Sequence, residues 1–305
     1  MRMLTKIKAC ILHNTPHKRA CLFALIFMSM MILSSTLLKW LWPTCPLSVD
    51  ILLTSSAPLL ITLLLYGRVR QVRIPVFYRF KPIPPRAVGT WILFGIGANC
   101  FATVVNMPIY RFLVEGKGLT PPIMSVAGNA GEYIIGIFAF ALLPAVLEEL
   151  LCRGIIMREY ENYGRVFAVF AAASMFAMLH MSLASFVFTW ILGIVLALAV
   201  QKTDSIYPAI IVHFSTNFYS LTCEYLTNIM PPELMGVWVG VRIGIIGIFG
   251  FGFAVAMLML VHIHVKRRTQ PRKRETHFGF SISFLVLIAI YLLNHIRLIA
   301  ELFGK

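Results

Sequence analysis

Three stretches of this 305-residue sequence put ionisable or amide side chains inside otherwise apolar runs. The first is Pro144-Ala-Val-Leu-Glu148-Glu149-Leu-Leu-Cys-Arg153-Gly154, the second Phe176-Ala-Met-Leu-His180, the third His213-Phe-Ser-Thr-Asn217. On a helix, adjacent residues lie about 100° apart, so Glu148 and Glu149 face different neighbours. Glu149 and Arg153 are spaced i, i+4 with the acid first, the favourable orientation for an ion pair. That pair has a supporting role, and Glu148 is left without a local partner. The same spacing puts Phe176 with His180, and His213 with Asn217, on common helical faces. Pro144 removes one helix hydrogen bond and frees the carbonyl of residue 140, which must find a partner nearby.

One carboxylate and two imidazoles make a set that can activate water, by either of two routes. In one, a divalent metal such as zinc sits on His180, His213 and Glu148 and polarises bound water. In the other, Glu148 with His180 acts as general base on free water, while His213 and Asn217 donate to the oxyanion of a tetrahedral intermediate. No cofactor is certain from the sequence. No HExxH and no GxSxG is present, and no Ser/His or Asp/Asp pairing suggests a serine or aspartyl protease. Taken singly, a histidine or asparagine in an apolar helix is usually an interhelical hydrogen bonder, and a Glu–Arg pair is usually structural. Their concentration in the fourth, fifth and seventh of the apolar segments is hard to explain as independent accidents.

Those segments dominate the chain. Hydrophobic residues make up 59% and charged residues 13%, where a soluble domain carries about 25% charged. Nine apolar segments run approximately 20–42, 48–66, 89–114, 132–160, 164–182, 185–201, 206–226, 236–263 and 278–298. Several reach the roughly 20 residues needed to cross a bilayer. The expected fold is therefore all-α, a polytopic membrane helix bundle of about eight to nine transmembrane helices. It divides into an N-terminal hairpin with a basic loop (1–88), a catalytic bundle (89–230) and C-terminal helices (231–305). The run 20–42 reads as a retained first helix, without a convincing signal-peptide cleavage site.

The net charge of +15 sits between apolar runs, which fits topogenic charge and anionic lipid better than nucleic acid. Arg68, Arg70, Arg73, Arg79, Lys81 and Arg86 follow the second segment, and Lys266, Arg267, Arg268, Arg272, Lys273 and Arg274 follow the eighth. Loops after odd-numbered segments are nearly free of basic residues, which points to a cytoplasmic N-terminus. The mixture of Val76, Phe77, Tyr78 and Phe80 with arginines suits either an interfacial segment or a basic loop with aromatic anchors. The six cysteines show no metal-like spacing, and a bond between Cys45 and Cys223 is geometrically open. Helix rise sets Glu148 roughly 20 Å and His180 roughly 24 Å from the cytoplasmic side, but His213 only about 10–12 Å, so the seventh helix must tilt or begin deeper.

The three motifs, Glu148-Glu149-x3-Arg153-Gly154, Phe176-x3-His180 and His213-x3-Asn217, resemble those of the CAAX protease and bacteriocin-processing (CPBP, or Abi) family of intramembrane proteases. That family includes the type II CAAX prenyl endopeptidases. The resemblance covers about residues 132–222. It implies a multi-helix membrane bundle whose site opens to the cytoplasm and hydrolyses peptide bonds. Glu148 would be the water-activating base, assisted by His180; His213 and Asn217 would form the oxyanion hole, and Glu149, Arg153 and Phe176 would support them. It implies a peptide or membrane-protein substrate, prenylated or leader-type, and leaves the oligomeric state undetermined. The protein would sit in the plasma membrane if prokaryotic. Two other classes fit the same residues: a catalytically silent immunity or interaction protein on this scaffold, and a proton-coupled transporter.

Overall fold

The computed structural model describes residues 15–71, 74–118, 129–266 and 282–296, all of it helix and connecting turns without a strand. Besides a one-turn helix at Ile74–Phe77, nine longer helical elements follow one another among these residues: α1 (Pro16–Leu41), α2 (Leu47–Arg70), α3 (Pro85–Gly116), α4 (Ala130–Tyr163), α5 (Arg165–Leu179), α6 (Phe186–Thr203), α7 (Tyr207–Ile229), α8 (Pro232–Lys266) and α9 (Ile282–Asn294). They coincide with the nine apolar segments. Six of them, α1, α2, α3, α4, α6 and α8, are long and apolar enough to cross a membrane, while α5 and α9 are shorter apolar helices. The chain is thus an all-helical, multi-pass bundle. Arg2, Lys6 and Lys8, the cluster from Arg267 to Arg274 and both ends of the ninth segment lie outside the described residues.

Prolines sit at or beside the first position of α1, α3, α7 and α8, where the missing N–H costs no hydrogen bond. The α4–α5 turn passes through Gly164 at φ 122°, a conformation glycine adopts without a Cβ clash. Helices approach closely where side chains are small. A Cβ on Gly193 of α6 would lie 2.9 Å from Ala173 Cα of α5, and one on Gly95 of α3 would lie 2.8 Å from the Val212 carbonyl of α7. Such contacts let helices associate by close packing where no hydrophobic difference separates lipid from side chain. α4 is irregular: widened π-type turns over Ile137–Leu142 and Leu150–Ile156 flank Pro144 and the two glutamates. Such turns are frequent at functional sites.

The segment between α2 and α3 is docked into the bundle and is not a loose interfacial loop. Tyr78 and Arg79 are both buried. Arg79 pairs with Glu161 at 2.6 Å and with Asp204 at 3.0 Å, and Lys81 also pairs with Asp204. The Ile206 N–H donates to the Arg79 carbonyl, and the Ser205 hydroxyl donates to the Lys81 carbonyl. Ser205 and Ile206 are consequently covered, so α7 begins inside the bundle. This answers the depth problem of His213. Tyr78 also explains why glycine follows Arg153, because a Cβ on Gly154 would lie 2.6 Å from the ring's Cε1. Cys45 and Cys223 are both free, so the bond between them does not form.

Two outcomes follow from this docking. Gly154→Ala forces the Tyr78 ring out and lowers unfolding free energy by about 1–3 kcal/mol, measurable as a lower thermal midpoint in detergent. The second concerns the exposed Asp204, whose carboxyl is held below its ordinary value of 3.8 by the hydrogen bond from Lys81, aided by Arg79. A depressed acid stabilises the fold above its unfolded pKa and loses that contribution as pH falls through the folded value. Asp204→Asn therefore lowers the midpoint at neutral pH, and the gap to the unsubstituted protein closes below about pH 4.

Candidate active site

The site is built around a carboxylate that cannot reach water. Glu149 and Arg153 have fully buried side chains and His213 is 5% exposed. Arg153 Nη1 donates to Glu149 Oε1 at 2.8 Å, and His213 Nδ1 donates to the same oxygen at 2.8 Å. Arg153 Nη2 donates to the Gly193 carbonyl at 3.0 Å, tying α4 to α6. Its guanidinium lies 4.5 Å from the centre of the Phe176 ring, a cation–π contact in a desolvated setting. Phe176 also meets His180 and His213 edge-on, at centroid distances of 4.5 and 5.7 Å. One aromatic ring thus fixes the guanidinium and both imidazoles, and the expectation that Phe176 and His180 share a face holds.

The two histidines are held in the same tautomer by different partners. His180 Nδ1 lies 2.8 Å from the Phe176 carbonyl, which only accepts, so Nδ1 carries the proton. His213 Nδ1 faces the Glu149 carboxylate, with the same consequence. Each ring then presents a bare Nε2. These two atoms lie 3.7 Å (His180) and 3.9 Å (His213) from one oxygen, Glu148 Oε2. Glu148 Oε2 is buried and accepts no hydrogen bond from the described residues. Three acceptors thus converge with no donor of the described residues between them. Separations beyond 3.5 Å suit a bridging donor such as water, not direct contact.

The same donor set is zinc-like in kind, with second-shell partners on both imidazoles. The described residues nevertheless contain no group of three or more His, Cys, Asp or Glu side chains spaced to hold a metal ion. As placed, Glu148, His180 and His213 do not fit an ion, and no step below passes through one.

Asn217 lies one turn beyond His213 on α7. Its amide donates to the Phe140 carbonyl at 3.1 Å, the carbonyl that Pro144 leaves without its helical partner. One amide hydrogen is thus committed to the backbone, and the other makes no hydrogen bond within the described residues. His180 ends α5, and Met181 turns the chain at φ 51°. The turn is braced from helices outside the motifs: Asn106 of α3 donates to the Ala184 carbonyl and accepts from the Phe188 N–H, while His295 Nε2 accepts from the Leu183 N–H.

Glu148 and His180 open onto a cavity of about 170 Å³ that Phe176 also lines. The first two helices also line it, through Phe27, Met31 and Ser55. Sequence reasoning missed these three. Phe27 and Met31 are indistinguishable from other apolar residues of α1. The hydroxyl run Thr54-Ser55-Ser56 inside an apolar segment was the one available signal for Ser55.

Residues 130–219 match the family model described as Rce1-like, type II CAAX prenyl endopeptidase Rce1-like. The matched segment carries all three motifs and agrees with the resemblance read from them. It runs from the start of α4 through most of α7, the helices that carry the site. No curated protein and no solved structure matches the chain.

The geometry separates bracing from chemistry. Arg153→Ala leaves Glu149 as an uncompensated buried charge and costs about 3–5 kcal/mol of stability. Glu148→Gln removes no hydrogen bond and leaves the thermal midpoint within a degree or two of the unsubstituted protein. Thermal unfolding of both variants in the same detergent checks the contrast.

Proposed function

We propose that the protein is an intramembrane endopeptidase in which Glu148 is the general base that activates water for peptide-bond hydrolysis. The observation that carries this reading is the convergence of His180 Nε2 and His213 Nε2 on the unbonded Glu148 Oε2. Water between them gives one hydrogen bond to Glu148 and one to His180, which aims an oxygen lone pair at a substrate carbonyl in the cavity. Glu148 takes the water proton as the oxygen adds to the carbonyl carbon. The tetrahedral intermediate then collapses, the C–N bond breaks, and the proton held by Glu148 goes to the departing amine.

His213 has a conditional part in this sequence. With Nδ1–H committed to Glu149, its Nε2 donates to an oxyanion only as the imidazolium. The proton that Glu148 takes from water can pass to it, the two atoms being 3.9 Å apart, while negative charge sits on the substrate oxygen, and it returns through Glu148 to the departing amine as the intermediate collapses. The Glu149 carboxylate stabilises that imidazolium, as a buried carboxylate does in a catalytic triad. The spare amide hydrogen of Asn217 is the second donor. Removing a single oxyanion donor typically costs about 10²–10³ in kcat.

The family match makes a membrane-associated peptide with a CAAX-type prenylated end the first substrate class to try. The basic residues Arg68, Arg70, Arg79 and Lys81 support an orientation with the N-terminus on the cytoplasmic side. The test is cleavage of farnesylated peptides by purified protein in liposomes. Glu148→Gln and His180→Ala each lower kcat at least ~10³-fold, and Asn217→Ala lowers it less. Cleavage that survives Glu148→Gln rejects the reading. Loss of cleavage on chelation, restored by zinc, assigns the water to a metal instead.

A further inference from the structure

The family match begins at residue 130, yet the catalytic cavity is closed by residues about a hundred positions earlier. Phe27 and Met31 are one helical turn apart on α1 and face the cavity together; Ser55 faces it from the Leu52–Ser56 turn of α2. Glu148 and His180 line the same cavity. The remaining surface, from residues such as Leu151 and Leu179, is apolar.

The wall is fixed in place. At the basic end of the bundle, Arg19 grips Glu159 through both carboxylate oxygens, at 2.9 and 2.7 Å, and Tyr66 donates to the same carboxylate at 3.0 Å. These contacts tie α1 and α2 to α4. Beside the cavity, the Ser34 hydroxyl lies 3.1 Å from the Met31 carbonyl and 3.3 Å from the Thr54 carbonyl, so α1 and α2 are joined at the residues preceding and flanking the cavity wall. Phe27 is buried at 4% exposure. Side chains so held set the dimensions of the space they bound.

The size and polarity of that space define what enters it. A volume near 170 Å³ is close to the ~150 Å³ of an apolar cavity that accepts a benzene molecule. It is below the ~300 Å³ at which sites for whole small molecules begin. One side chain of Leu or Phe size fits a space of this volume. Ser55 is the polar exception in the wall. Thr62 on the same helix turns its hydroxyl onto its own backbone, 2.8 Å from the Pro58 carbonyl. Ser55 makes no such bond within the described residues, which leaves its hydroxyl available to a peptide backbone in the cavity.

We infer that α1 and α2 supply the specificity pocket of the site: Phe27 and Met31 bound the space for one apolar side chain beside the scissile bond, and Ser55 hydrogen-bonds the backbone of that residue. The inference rests on the protease reading above. Its substrate class is a peptide with a Leu- or Phe-sized residue at that position, approached from the α1–α2 side.

The experiment uses the full-length protein in liposomes and four farnesylated CAAX-type peptides that differ only in the residue after the prenylated cysteine: Ala, Val, Leu or Phe. Met31→Ala and Phe27→Ala enlarge the pocket and raise the Phe-to-Ala ratio of kcat/KM about tenfold, while Met31→Phe narrows it and lowers the ratio by a similar factor. Opposite shifts from two substitutions at one position do not arise from general destabilisation, and Met31→Phe keeps the test open where Phe27→Ala folds poorly. Ser55→Ala raises KM roughly threefold to tenfold for all four peptides without changing their order. An unchanged Phe-to-Ala ratio of kcat/KM in every Phe27 and Met31 variant, with unsubstituted protein active, overturns the pocket and leaves the protease reading standing. Unsubstituted protein inert on all four peptides overturns the protease reading and the pocket with it.

Discussion

A single buried carboxylate oxygen, Glu149 Oε1, receives hydrogen bonds from both Arg153 and His213, and the site cannot be assembled without it. In an apolar interior an unpaired charge costs several kcal/mol, so the pair must be complete before the helices can close. Completing it draws α7 against α4, because His213 has to reach Glu149. A second donor of Arg153, Nη2, reaches the Gly193 carbonyl, which draws in α6. Phe176 then packs against the guanidinium and both imidazoles, which sets the rotation of α5. The two glutamates in sequence have opposite fates for a geometric reason. A 100° step turns one into the charge network and leaves the other facing the cavity, and each keeps one buried oxygen without a partner among the described residues.

The same low-dielectric constraint governs the backbone. Polar main-chain groups at membrane depth need partners within the protein, and each irregularity near the site has one. Pro144 frees the Phe140 carbonyl, and Asn217 takes it. The turn that ends α5 at His180 presents main-chain groups to Asn106, Asn294 and His295. These bonds have a functional consequence: the residues that position the catalytic groups are spread over α3 and α9, well outside the motifs. The docked turn at Tyr78–Lys81 lets α7 start deep enough for His213 to reach the level of Glu148.

What could be read from the sequence divides along physical lines. Apolar runs of the right length marked all nine helices, because bilayer thickness and helix rise leave little choice of length. The motif residues were legible because charge inside an apolar run is costly and so informative. The pairing of Glu149 with Arg153 followed from i, i+4 geometry. Its extension to His213, 64 residues away, did not, because helix spacing says nothing about contacts between helices. The helical count by hydropathy was also blurred, since α7 carries His213, Asn217 and several hydroxyls and falls short of the six strongly apolar spans. Phe27, Met31 and Gly154 were silent for a simpler reason. An apolar residue facing a cavity and one facing lipid look alike in sequence, and a glycine gives no hint of the ring that will occupy its missing side chain.

Nδ1 of each site imidazole is tied to an acceptor, which leaves two bare Nε2 atoms near Glu148 Oε2. Solid-state NMR of ¹⁵N-histidine-labelled protein in bilayers reads this directly, with His180→Ala and His213→Ala used to assign the signals. The expected result at neutral pH is protonated Nδ1 and unprotonated Nε2 for both residues. Protonated Nε2 with bare Nδ1 at either one would mean that its ring is turned away from the arrangement described, and the shared water between carboxylate and imidazole would have to be abandoned.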